Sequence, residues 1–140
     1  MPEPARTTCE VEVRYAETDQ MGVVHHAAYV VWFELARTRL CVETGHPYAE
    51  IEAAGYWLIV TAVEVRYRRP AHYGDRVAVT CWIDRLASRL LRFAYEVRRD
   101  GELLATGATE HVWVERATGR PCLIPAFVRA PFERLAGRGG

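Results

Sequence analysis

The chain reads as one α+β domain, an antiparallel sheet of about five strands wrapped around a single long apolar helix. Three observations predict this. Residues 27–43 carry apolar side chains at helical spacing on a face too wide for a surface helix. Four later segments alternate apolar and polar residues with period two. Asp100-Gly101, between two of those segments, reads as a tight hairpin turn.

The first strand is expected over Cys9–Tyr15. Val11, Val13 and Tyr15 share one side there, and Glu10, Glu12 and Arg14 the other. A loop from Ala16 to about His25 precedes the helix, which spans about Ala27–Glu43. Tyr29, Trp32, Phe33, Ala36 and Leu40 form its wide apolar face. Val30, Val31 and Leu35 leave little for a solvated side, so the helix is expected to be largely enclosed. Gly45 and Pro47 end it. Tyr48–Ala54 fits a short second helix closed by Gly55. Strands follow over Trp57–Tyr67, Arg76–Asp84, Leu91–Val97 and Leu103–Glu115, with Asp100-Gly101 as a hairpin turn. Thr118-Gly119 marks another turn, and Ala126–Leu135 has weak helical character. Residues 1–7 and 137–140 are expected to be frayed. A helix on one face of a sheet leaves the other face or an edge uncovered, which predicts association.

At 140 residues, half of them apolar, the chain suits a single domain with one core. Basic and acidic residues balance at 18 each, which argues against a nucleic-acid surface or a polybasic membrane patch. Every basic residue is arginine, so lysine chemistry and a P-loop are excluded. The four cysteines, Cys9, Cys41, Cys81 and Cys122, are too scattered for a zinc site. Met1–Thr8 has no signal-peptide core, and no apolar run reaches a membrane span. A cytoplasmic protein with reduced thiols and no stable membrane insertion is expected.

Chemistry concentrates in Tyr15–Glu34. Tyr-Ala-Glu-Thr-Asp-Gln-Met-Gly-Val-Val-His-His-Ala-Ala-Tyr places two acids, two histidines and a glycine between a strand end and a helix start. The first amides of a helix lack intrahelical acceptors and sit at the positive end of its dipole. They can bind an oxyanion, while an acid nearby attacks a carbonyl or activates water. The plain alternative is that Asp19 only hydrogen-bonds its own loop and that His25 or His26 caps the helix.

Tyr15 through Tyr29, with Trp32, Glu34 and Arg37 following, resembles the signature of the 4-hydroxybenzoyl-CoA thioesterase family. That family has the hotdog fold and includes the Tol–Pal-associated acyl-CoA thioesterases. Tyr67-Arg-Arg-Pro-Ala-His-Tyr-Gly74-Asp75 resembles the family's turn between its second and third strands. Thr118-Gly-Arg-Pro121 with Ile124-Pro125 resembles its C-terminal strand exit. The resemblance runs from about Cys9 to Leu135. It implies hydrolysis of an acyl-CoA or aryl-CoA thioester to the free acid and CoA, by a homodimer or homotetramer. It needs no cofactor, since CoA is part of the substrate, and no metal.

The same resemblance implies the roles. Asp19 is the catalytic carboxylate, as nucleophile or general base. The backbone N–H of His26 polarises the thioester carbonyl, and the His26 side chain supports it. Gly22, Val24, Tyr29 and Glu34 lie around the acyl group. For Tyr29 and Glu34, packing or an ion pair with Arg37 is the competing reading. Trp57, Leu58 and Ile59 of a partner subunit line the acyl pocket in such dimers, against a reading as ordinary core. Ser88 and Arg89 contact the nucleotide, although Ala87 replaces a basic residue seen in some members. Arg66, Arg68 and Arg69 read as a strand edge, and His111 as a packed histidine. The chain has no Gly-x-Ser-x-Gly elbow, which disfavours a serine triad. An acyl-carrier-protein thioesterase and a non-enzymatic acyl-CoA binder are the competing functions.

Overall fold

A computed structural model of the protein describes residues 3–43 and 45–137. The elements run β1 (Arg6–Glu12), α1 (His26–Val42), α2 (Tyr48–Ala53), β2 (Tyr56–Tyr67), β3 (Arg76–Leu86), β4 (Leu90–Arg99), β5 (Glu102–Glu115), β6 (Pro121–Cys122) and α3 (Ala126–Leu135). One antiparallel sheet holds them in the order β1-β3-β4-β5-β2, with β6 beside β5. The sheet curls around α1 in the hotdog arrangement. Its strands number six because β5 outruns β4. Val112 is the last β5 residue paired to β4, and β6 takes the next two, Trp113 and Val114.

The apolar face of α1 drives the assembly. Tyr29, Trp32, Phe33, Ala36 and Leu40 are each 2% exposed or less. They pack on alternate residues of the sheet, such as Val79, Cys81, Phe93 and Tyr95. Phe33 stacks on Tyr95 with ring centroids 4.2 Å apart and planes at 9°. Gly107 of β5 makes room for that ring, because a Cβ there would fall inside it and within 2.8 Å of the Glu64 carbonyl oxygen. At the β4–β5 turn, Asp100 (φ 50°) and Gly101 (φ 82°) both adopt the left-handed conformation of a two-residue hairpin.

Several expectations need correction. The first strand lies three residues earlier than expected, over Arg6–Glu12, because its pairing with β3 begins at Arg6↔Trp82. Residues 3–7 are therefore not frayed: Thr7 is buried, and the Ala5 amide donates to the Leu135 carbonyl at 2.8 Å. Gly137 is likewise held, its amide donating to Arg134 at 3.1 Å. Residues 1, 2 and 138–140, also expected to be frayed, lie outside the described residues. After Glu12 the chain turns into a 3-10 segment, Tyr15–Glu17, so Tyr15 leaves the Val11–Val13 face and is 77% exposed.

Helix α1 is not enclosed within one chain. Val31, Leu35 and Val42 form a stripe on its outer side, each about half exposed. The edge strand β2 also faces outward. Trp57, Ile59, Val60, Val63 and Tyr67 are 37–47% exposed. Tyr48 of α2 blunts the start of that edge: its hydroxyl donates to the Leu58 carbonyl at 3.1 Å and accepts from the Leu58 amide at 3.0 Å. The open edge runs from Ile59 to Tyr67. Among the described residues no helix is long and apolar enough to cross a membrane.

Candidate active site

The loop between β1 and α1 is a small folded unit. Thr18 and Val24 form a bridge, the Asp19 amide donates to the Val23 carbonyl at 2.8 Å, and Gly22 (φ 77°) makes the reversal. The unit rests on the Pro70–Asp75 turn. Val24 donates to the Ala71 carbonyl at 2.9 Å, and Val23 bridges His72. That turn is held by the Asp75 carboxylate, which accepts from the His72 amide at 2.9 Å and from Arg99 at 2.8 Å. Burial raises the Asp75 pKa, but these two donors outweigh it and hold the group below the usual carboxylate range.

Glu17 fixes the other side. It is 8% exposed. One carboxylate oxygen accepts from the Arg14 amide at 2.9 Å, and the other from the Trp32 indole N–H at 2.7 Å. Its carbonyl accepts from the His25 amide at 2.8 Å. Burial raises its pKa, yet the Arg14 and Trp32 hydrogen bonds bring the net shift below the ordinary value. Glu17 thereby ties the end of β1, the start of α1 and the buried face of the helix together. Glu17 is an addition to the residues expected from the sequence, where the Glu17-Thr18-Asp19 order sets it two positions before Asp19.

Asp19 does what its plain alternative required, and does not exhaust itself doing so. Its Oδ1 accepts from the Met21 amide at 2.8 Å and the Val23 amide at 3.2 Å. Among the described residues no protein donor reaches Oδ2. The side chain is exposed and opens, with Tyr15 and His25, onto a hollow of about 350 Å³. At the helix start, neither His25 nor His26 caps with its side chain, since the N-cap His25 makes no side-chain cap bond. The His26 and Ala27 amides have no backbone acceptor among the described residues.

The other predicted residues gather at three further hollows, and His26 does not line the one onto which Asp19 opens. Val24, His26 and Tyr29 line a hollow of about 230 Å³ with Tyr67, Arg68 and Arg69. Tyr67 is an addition. Its hydroxyl donates to the His26 carbonyl at 2.8 Å, and its ring meets those of His26 at 4.7 Å and Tyr29 at 5.0 Å. Arg66 and Arg69 are paired with Glu64 and Glu102, as expected of a strand edge. Tyr29 is 2% exposed, and burial raises its pKa. It packs as the competing reading required, while still reaching the hollow. Glu34 and Leu58 share a second hollow, of about 140 Å³, with Arg37, Tyr48 and His111. That hollow lies two to three turns further along α1, on the order of 12–16 Å away at 1.5 Å per residue. Glu34 forms no ion pair with Arg37 among the described residues. Trp57 and Ile59 stand partly exposed on β2, Ile59 at the start of its open edge, and are not ordinary core. Ser88 lines a third hollow, of about 180 Å³, with Ile124 and Arg129. Arg89 is exposed beside it.

Within one chain, therefore, the Asp19 hollow, the His26 hollow and the Glu34 hollow are separate. Among the described residues no three of His, Cys, Asp and Glu are grouped as metal ligands.

Relatives share this frame. A putative acyl-CoA thioesterase, YneP, of Bacillus subtilis is 37% identical over 80% of this chain and 82% of its own length. The solved structure of protein TT1821 from Thermus thermophilus superposes with a TM-score of 0.88 at 40% identity, covering 92% of this chain and 98% of that one. The DHNA-CoA thioesterase of Staphylococcus aureus does so with a TM-score of 0.90 at 31% identity, covering 95% and 92%. Residues 13–132 match the family model of the thioesterase-like superfamily, so the chain belongs to that superfamily.

Proposed function

We propose that the protein hydrolyses an acyl-CoA or aryl-CoA thioester in the manner of the 4-hydroxybenzoyl-CoA thioesterases, in the cytoplasm and as a homodimer or homotetramer. The observation that carries the reading is a carboxylate with a free oxygen beside a helix start whose first amides have no acceptor. The carbonyl oxygen gains negative charge as the thioester is attacked. A fixed amide aimed at it is worth about 3 kcal/mol of the barrier. The His26 N–H takes this role, and Asp19 Oδ2 acts as nucleophile or as base for a water. Bonds to Met21 and Val23 hold the carboxylate in one orientation without consuming its second oxygen. Ser88 and Arg89 contact the nucleotide of CoA.

The substrate's acyl end is completed by a second copy. The open edge Ile59–Tyr67 pairs with its own equivalent, and a two-fold axis makes that pairing antiparallel. The Leu58 end of one strand then lies against the Tyr67 end of the other. Through this pairing Trp57, Leu58, Ile59 and the Glu34 hollow of one copy come to the His26 hollow of its partner.

The test is free-thiol release from a panel of acyl-CoA and aryl-CoA thioesters. Wild type is expected to cleave at least one, and Asp19→Asn to lose about 100-fold or more in kcat. No release from any thioester sinks the enzymatic reading. Full rate in Asp19→Asn removes Asp19 from the mechanism.

A further inference from the structure

The Asp19 loop and the His26 hollow lean on the same turn, Pro70–Asp75. Val24 donates to the Ala71 carbonyl at 2.9 Å, and the Tyr73 amide donates to the Gly22 carbonyl at 3.4 Å. Val23 bridges His72, and the Tyr73 ring meets that of Tyr15 edge-on at 5.7 Å. Pro70 lines the His26 hollow directly. A shift of this turn therefore moves the loop that carries Asp19 relative to that hollow.

The two ends of the turn are held differently. At the far end, the Asp75 amide donates to the His72 carbonyl at 3.0 Å, and Asp75 Oδ2 accepts from the His72 amide at 2.9 Å. Val13 donates to the Asp75 carbonyl at 2.8 Å and accepts from the Gly74 amide at 3.1 Å. At the near end, among the described residues, the Pro70 carbonyl takes its hydrogen bond from Arg99. Arg99 closes β4, just before the Asp100-Gly101 hairpin. Its Nη1 donates to the Pro70 carbonyl at 3.3 Å and to Asp75 Oδ2 at 2.8 Å, so one guanidinium spans both ends. Nη2 donates to Glu102 Oε1 at 2.9 Å, and Glu102 Oε2 takes Arg69 Nε at 3.3 Å. A rigid planar fork fixes such acceptors at set spacings, which an ammonium on a flexible stem does not. The Arg99 and Asp75 side chains are 25% and 24% exposed, and ion pairs of that exposure contribute little to folding. The network sits where it governs the loop more than the core.

We propose that Arg99 is a positioning residue of the reaction: through Pro70 and Asp75 it sets the Asp19 carboxylate against a thioester carbonyl held at the His26 amide. The inference rests on the functional reading above, in which Asp19 attacks that carbonyl or activates a water. A misplacement of about 1 Å costs such a step about 100-fold. Binding of the CoA ester is spread over many contacts and changes little.

The test uses the full-length protein and the CoA thioester that wild type cleaves fastest. Arg99→Met keeps the length of the stem and removes all three bonds. It should lower kcat about ten- to 100-fold with KM within about twofold of wild type. Arg99→Lys should recover part of the loss, because an ammonium does not span both ends. Asp75→Asn keeps an acceptor for the His72 amide but loses the ion pair. Added to Arg99→Met it should lower kcat by less than about threefold more, since the two residues act as one unit. NMR of the Met21 and Val23 amides, which donate to Asp19, reads the loop without substrate. Both should shift in Arg99→Met, while the Val79 amide in the middle of β3 stays in place. A kcat within twofold of wild type in Arg99→Met overturns the proposal. So do losses that multiply in the double variant, a KM that rises in step with the fall in kcat, or unmoved Met21 and Val23 amides. An Arg99→Met protein that fails to fold overturns it as well, because a positioning role leaves the fold intact; Arg99→Lys then reports whether any loss is confined to kcat. Amide shifts in a protein that cleaves no thioester would sink the enzymatic reading and leave the brace on the loop standing. Cleavage untouched by Arg99→Met would do the opposite.

Discussion

Replacing Glu17 by glutamine separates the carboxylate's charge from its shape. The carboxylate accepts on both oxygens, from the Arg14 amide and the Trp32 indole. A glutamine in the same place has one accepting oxygen and one NH₂, so one of these donors meets another donor. An orphaned buried donor costs about 1–3 kcal/mol, and hydrogen bonds to a charged acceptor exceed neutral ones by about 1 kcal/mol. The expected loss is about 2–4 kcal/mol. For a chain of this length the unfolding entropy is about 0.3 kcal/mol/K, so the midpoint falls by about 7–14 °C at neutral pH. The pH dependence carries the sharper content. The folded-state pKa of Glu17 lies below the ordinary value of 4.5. Its stabilisation is therefore complete above the unfolded pKa and is lost as pH falls through the folded one. Below that point wild type holds a protonated carboxyl, and the gap to Glu17→Gln should close. Thermal melts by circular dichroism, at fixed protein concentration from neutral pH to about pH 3, measure both quantities. A midpoint shift below about 2 °C at neutral pH, or a gap that stays constant on acidification, would refute the reasoning.

Three other perturbations follow from the geometry. Tyr67→Phe removes the bond to the His26 carbonyl but keeps both ring contacts; steady-state kinetics should show kcat down about three- to tenfold with KM little changed. Gly107→Ala drives a methyl into Phe33 and against the Glu64 carbonyl, and denaturant titration should register a loss of about 1–3 kcal/mol. Val63→Lys puts a charge in the middle of the open edge, and light scattering should show a shift toward monomer with activity falling in step.

Periodicity carried most of the fold. The apolar face of α1 and the alternation in β3, β4 and β5 encode their own burial, because each is a local pattern answering to one surface. The same reading failed at Tyr15, where alternation continued in the sequence after the strand had stopped. The Arg14–Glu17 hydrogen bond that ends it is a contact, not a period. It missed β6, two residues long and dependent on the overhang of β5. Val31 and Leu35 read as enclosed by their apolar character alone, yet each is about half exposed within one chain. Of the candidate site, the Asp19 loop and helix start were legible through their short spacing. Glu17 and Tyr67 were not. Their partners lie 15 and 41 positions away, and only the packing of α1 against the loop and the sheet brings them together.

The open flank of β2 has a consequence for the life of the chain before it is an enzyme. Nine residues from Ile59 to Tyr67 present backbone groups and apolar side chains to whatever extended polypeptide they meet first. Arg66 and Glu64 are the charges on that stretch, and they neutralise each other. In the pairing proposed above, a newly made chain must find its own twin before it finds a stranger. Substitutions that slow that meeting are expected to appear first as insoluble protein, and only afterwards as a slower reaction.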